Sequence, residues 1–111
     1  MASILLIEDD LTFSRILEGF LTKKGYQVTT SHKGKDGLKA FESQGYDFIL
    51  LDYRLPDTTG MDVLGEMKSI NPDVSVIIMT SFSDIKTAVR AIKLGAYEYI
   101  TKPVNPDELL M

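Results

Sequence analysis

The chain contains no cysteine, which removes disulfides, thiolate nucleophiles and thiolate-held metals together and fits a cytoplasmic setting. Basic charge is sparse where it would matter. No run of Lys or Arg exceeds the pair Lys23-Lys24, and the formal net charge is -4. The cationic footprint that a phosphate backbone demands is missing, so direct nucleic-acid binding by this domain is not expected. No apolar stretch approaches about 18 residues, and the opening MASILLIEDD lacks the basic segment and the longer apolar core of a signal peptide. Neither membrane insertion nor secretion is indicated.

What is present suits an ordinary globular chain. Hydrophobic residues make up 44% and charged residues 25% of 111 positions, enough to bury one core, so residues 1–111 are read as a single domain. Short apolar runs at Ile4-Ile7, Phe48-Leu51 and Val74-Met79, with weaker ones at Tyr26-Thr30 and Glu98-Thr101, predict five strands. Between them the period changes. Phe13, Ile16, Leu17, Phe20 and Leu21 make one helical face before a stop at Gly25. Leu38 and Phe41 before Gly45 predict a second helix. Met61, Leu64, Met67 and Ile70 before Asn71-Pro72 predict a third, and Ile85, Ala88, Val89 and Ile92 before Gly95 a fourth. Alternating strands and helices with short connections imply a doubly wound α/β fold, a parallel sheet covered on both faces.

Ligands in such folds sit beyond the carboxyl ends of the strands, where strand order reverses. Several of these strand ends carry chemistry. The first strand runs into Glu8, Asp9 and Asp10, and the third, FILL, into Asp52. In the common order 2-1-3-4-5 these two strands are neighbours, which would bring Glu8, Asp9 and Asp52 to one rim. Carboxylates so close repel, and one is driven towards protonation unless a cation joins them. Mg²⁺, which takes oxygen ligands and is typically held by one or two carboxylates, answers that need. Asp10, just before a helix, is read as its cap rather than as a ligand. The fourth strand ends in Thr80 and the fifth is followed by Lys102-Pro103. A hydroxyl and an ammonium beside carboxylates and a metal ask for a phosphoryl group. Singly, Thr80 could be a helix cap, Lys102 a solvated lysine and Tyr99 strand packing; their joint placement carries the reading. The lone His32 is read as a surface loop residue away from the acidic rim.

The ordered set ILLIEDD, LLDYRLPDTTG, IIMTS and YITKP resembles the receiver domain of bacterial two-component response regulators, over residues 3 to 111. The resemblance implies a flavodoxin-like five-stranded parallel sheet in the order 2-1-3-4-5. It makes Asp52 the acceptor of a phosphoryl group from a sensor histidine kinase. Asp9 becomes a direct Mg²⁺ ligand, with Glu8 acting more through water and the backbone carbonyl of Arg54 contributing. It also implies Thr80 and Tyr99 as switch residues, Lys102 as the partner of the phosphoryl oxygens, Pro56 and Gly60 in the loop after the acceptor, and a cis Lys102-Pro103 bond. Such a domain is not a classical enzyme, though it takes part in its own phosphorylation and dephosphorylation. Arg54 and Phe82 occupy positions that in the family influence the approach of water, and slow self-dephosphorylation is expected. The segment AVRAIKLGAYEYITKPVNPDELL is also similar to receivers that precede the ATPase modules of enhancer-binding transcription activators, so an attached output domain acting on transcription is expected.

Asn105-Pro106-Asp107-Glu108 begins like a helix, with only Leu109, Leu110 and Met111 following. A truncated last helix, exposed apolar surface beneath strands four and five, and self-association are expected. Three other readings compete. One is a pseudo-receiver serving as a phosphorylation-independent interaction module. A haloacid-dehalogenase-like phosphatase would need D-x-D-x-T, where this chain has Arg54 and Pro56. A flavodoxin-type cofactor binder would need hydroxyls and amides where this chain has acids.

Overall fold

The computed structural model describes residues 2–81 and 85–102. The strands are β1 (Ser3–Ile7), β2 (Gln27–Ser31), β3 (Phe48–Asp52), β4 (Val76–Thr80) and β5 (Glu98–Thr101), alternating with helices α1 (Leu11–Lys23), α2 (Gly34–Ser43), α3 (Gly60–Ile70) and α4 (Ile85–Lys93). All pairings are parallel and the order is β2-β1-β3-β4-β5, the doubly wound arrangement expected. Residues 103–111, where a fifth helix is expected to start, lie outside the described residues, as does the Lys102-Pro103 bond.

The uninterrupted apolar runs follow from burial on both faces of the sheet. Alternate residues feed two cores. Leu5, Ile7, Ile49, Leu51, Val76 and Ile78 pack with Phe41 of α2, Val63, Leu64 and Met67 of α3, and Ala91 of α4. On the opposite face Ile4, Leu6, Leu50, Ile77 and Met79 pack with Leu17 and Leu21 of α1. Each such side chain contributes about 1.5–3 kcal/mol by leaving water, and together they fix the register that sets the strand ends.

The helices start and stop by identifiable devices. Asp10 caps α1, its side chain accepting the Phe13 N–H at 3.0 Å, and Thr59 caps α3 through the Asp62 N–H at 3.2 Å. Gly25 and Gly95, at φ 96° and 105°, turn the chain out of α1 and α4 in the left-handed conformation that favours glycine. Gly45 is not of this kind: α2 ends at Ser43 and passes through Gln44 in extended backbone.

The four helices form where expected, apolar residues on three of them lie outward, and one expectation is corrected. The apolar stripe of α4 does not face the sheet. Ile85 is 83% exposed and Val89 and Ile92 are exposed, whereas Thr87 and Ala91 are buried. A short helix can approach a sheet closely through small side chains, and α4 turns that side inward. Ile16 of α1 and Ile70 of α3 are likewise exposed at the edges of their stripes. β4 is buried along its whole length, because Ile77 and Met79 are taken up in the α1-side core. The apolar surface expected beneath strand four is not there, and the argument for self-association loses its basis at that strand.

Candidate functional site

Register brings the predicted side chains to one rim. Ile7 pairs with Leu51 and Asp52 with Met79, so Glu8, Asp9 and Asp52 emerge side by side at the carboxyl ends of β1 and β3. Thr80 closes β4 opposite Thr101, and Lys102 follows, its N–H donating to the Thr80 carbonyl at 2.6 Å. Carboxylate oxygens of Glu8, Asp9 and Asp52 lie within 4.8 Å of one another. Glu8 is fully buried, Asp52 is 5% exposed and Asp9 is exposed.

A cation stands among them. The Lys102 ammonium contacts Glu8 Oε1 and lies 3.3 Å from Asp52 Oδ1. The other Glu8 oxygen, Oε2, accepts the Asp10 N–H at 3.0 Å. Burial pushes the Asp52 carboxyl up to about 7, helped by hydrogen bonding and repulsion from Glu8 and opposed by Lys102. Lys102 itself is raised: burial works against its charge, and the Glu8 and Asp52 carboxylates outweigh that effect. Three carboxylates against one ammonium leave an excess of negative charge that a divalent ion would balance. The donor set, all oxygen and part open to solvent through Asp9, fits a hard cation such as Mg²⁺.

The remaining predicted residues fall around this rim. Thr80 is buried, and Tyr99, paired with Ile78, is half-buried against the α2–α4 core. Arg54 is exposed and bridges to Thr59 across the loop after β3. Gly60 begins α3 so close to β3 that a Cβ there would strike the Asp52 carbonyl oxygen and come within 2.9 Å of Tyr53 Cα. Phe82 and Pro103 lie outside the described residues. His32 departs from expectation. It is exposed, but its Nδ1 lies 2.9 Å from the Glu8 carbonyl oxygen, because β2 pairs with β1 and ends level with it.

Asp57 had no assigned role. Its two oxygens accept the N–H groups of Gly34 at 2.8 Å and Lys35 at 3.0 Å, capping α2 from the loop after β3. These bonds hold its carboxyl below the usual range. The signal was an omission: α2 begins at Lys33-Gly34 with no capping side chain of its own.

Fold and rim together define an α/β domain with a strand-end acidic site whose oxygen donors fit a hard cation. The comparison with known proteins is specific. The chain matches the response regulator receiver domain family over residues 4–111 and belongs to it. It is therefore a receiver domain of the two-component signalling class. It is 38% identical over 106 residues to the transcriptional regulatory protein ZraR of Escherichia coli (strain K12), covering 96% of this chain and 24% of that protein. To the regulatory protein LuxO of Vibrio parahaemolyticus it is 38% identical over 104 residues, 94% of this chain and 23% of that one. The chain thus spans about a quarter of the length of these relatives. Among solved structures, a response regulator from Burkholderia pseudomallei with a phosphorylated aspartic acid, calcium ion and citrate superposes with a TM-score of 0.93 at 30% identity, over 99% of this chain and 65% of that one. TrrA from Thermotoga maritima in complex with Mg²⁺-BeF gives 0.89 at 32%, over 99% and 94%. Among the described residues no helix is long and apolar enough to cross a membrane.

Proposed function

We propose that this receiver is a phosphorylation-dependent cytoplasmic switch in which Asp52 accepts a phosphoryl group from a sensor histidine kinase. The observation that carries the reading is the Asp52 carboxylate, buried at the end of β3 and 3.3 Å from the Lys102 ammonium, with Glu8 and Asp9 within ligand distance. In the transfer an Asp52 oxygen forms the new O–P bond while the N–P bond of the phosphohistidine breaks, and the imidazole nitrogen takes the electron pair and then a proton. Phosphoryl transfer has a loose transition state, so positioning and charge neutralisation do most of the work. Lys102 brings positive charge to the phosphoryl oxygens. Asp9 and Asp52, the Arg54 carbonyl, and Glu8 more through water would hold Mg²⁺, which supplies further neutralisation when bound.

The product carries about -1.5 to -2 charge, and we assign the Thr80 hydroxyl, at the end of β4, as the donor to it. Movement of Thr80 would free space for Tyr99 to turn inward, reshaping the face built by α4 and β5 as a population shift rather than a new fold. The output we assign is an attached domain controlling transcription, of the enhancer-binding activator type. Support for this comes from the C-terminal segment quoted above and from the regulatory names of ZraR and LuxO.

Incubation with acetyl phosphate and Mg²⁺ followed by intact-mass measurement tests the reading. One phosphoryl group is expected on the wild-type chain, and none on Asp52→Asn or in the presence of EDTA. A folded wild-type chain that gains no mass would overturn it in favour of the phosphorylation-independent interaction module.

A further inference from the structure

The Lys102 ammonium has a third neighbour besides the two carboxylates. Its Nζ lies 5.0 Å from the centroid of the Phe13 ring, within the range in which a cation is attracted to an aromatic face. Phe13 is well anchored for that task. Its N–H is the one that the Asp10 side chain holds at 3.0 Å, and its ring, half-buried, packs against the core formed by Ile4, Leu6 and Leu17. The lysine is anchored at the other end by its backbone bond to Thr80.

The geometry points to Phe13 as a positioning residue for phosphoryl transfer, its ring face holding the Lys102 ammonium where the incoming phosphoryl oxygens need it. The role rests on the phosphoacceptor reading of Asp52. Two features make the ring suited to it. The fully buried Glu8 carboxylate contacts the same ammonium from the first strand, and a second attraction from α1 limits how far the lysine follows Glu8. A ring face also attracts the cation without accepting a lone-pair hydrogen bond, so the ammonium keeps its donors for carboxylate and phosphoryl oxygens. An aliphatic residue at position 13 would fill the same core space and supply no such pull. Asp10, set aside as a mere helix cap, therefore reaches the chemistry indirectly, by fixing the turn on which Phe13 stands.

The test uses the 111-residue chain with acetyl phosphate as donor. Phe13→Leu is expected to slow phosphorylation of Asp52 by roughly 5-fold and Phe13→Tyr to retain the rate. A graded series of fluorinated phenylalanines at position 13 separates positioning from packing, since fluorine weakens the ring's attraction for a cation while changing its shape little. The rate should fall with each added fluorine at unchanged melting temperature. Independently, the Lys102 ε-methylene protons should resonate upfield in the wild type, under the ring current, and lose that shift in Phe13→Leu. A phosphorylated wild type with a flat fluorine series, or a Lys102 resonance indifferent to Phe13, would overturn the role of Phe13 alone. A wild type that takes no phosphoryl group would overturn the phosphoacceptor reading and this role with it.

Discussion

Replacing Asp52 with Asn removes a charge that the fold holds against its surroundings. The carboxyl sits at about 7 instead of 3.8, and at about 1.4 kcal/mol per pKa unit the ionised form destabilises the native state by at most about 4 kcal/mol. The value of about 7 already contains the opposing attraction of Lys102, 3.3 Å away, and the ceiling is reduced because water and salt reach the rim through Asp9. About half the ceiling, near 2 kcal/mol, is the expected gain. The sign with pH follows from the raised value. Below about pH 4 both folded and unfolded chains carry a protonated Asp52 and the penalty is absent; it grows as pH rises through the interval from 3.8 to about 7 and is complete above it. For a chain of this length the midpoint moves roughly 4 °C per kcal/mol. Thermal melts at pH 8 without divalent ions should place Asp52→Asn about 8 °C above wild type, and the gap should close steadily towards pH 4. Adding Mg²⁺ at pH 8 should raise the wild type much more than the variant. Equal midpoints at pH 8, or a gap that does not change with pH, would refute the claim that Asp52 is held ionised at a cost.

Lys102→Met should keep the fold but slow phosphorylation by acetyl phosphate at least about 10-fold, the scale of losing one charge that stabilises a transition state; a rate near wild type would remove Lys102 from the chemistry. Asp57→Ala should lower the melting midpoint at pH 7 by uncapping α2. Because the Asp57 carboxyl is held below its ordinary 3.8, the difference should be full above that value and fade as pH falls below it, which a pH series of melts would show. Gly60→Ala should cost about 1–3 kcal/mol by forcing backbone apart next to Asp52, read as a shift in urea midpoint; a neutral outcome would mean that the loop yields freely.

Much of this fold was legible because β1, β3 and β4 are buried on both faces, and a strand in that position has to be written in unbroken apolar residues. The rim was legible for a related reason: a charge such as Asp52, set directly after such a run, has few places to go. What was hidden depended on tertiary choices. The stripe Ile85, Val89 and Ile92 is a genuine helical face, yet periodicity cannot say which side of α4 meets the sheet, and the small side with Thr87 and Ala91 does. His32 was misplaced because its position is set by the pairing of β2 with β1, not by its neighbours in sequence. Phe13 counted as core packing, which it is; that its ring also faces Lys102, 89 positions along the chain, only the folded geometry reveals.

The Asp57 clasp on α2 gives the rim a direction. On the β1 side, the loop that follows Asp52 is fastened to a helix end by two backbone N–H groups, and Gly60 presses α3 against the strand from which that loop departs. A push originating at Asp52 meets a braced wall there. On the other flank, among the described residues, stand β4 with Thr80 at its end and an edge strand of four residues, with a helix whose apolar side is turned outward. Under the proposed phosphorylation of Asp52, displacement would fall more readily on the β4–β5 flank than on the side tied to α2.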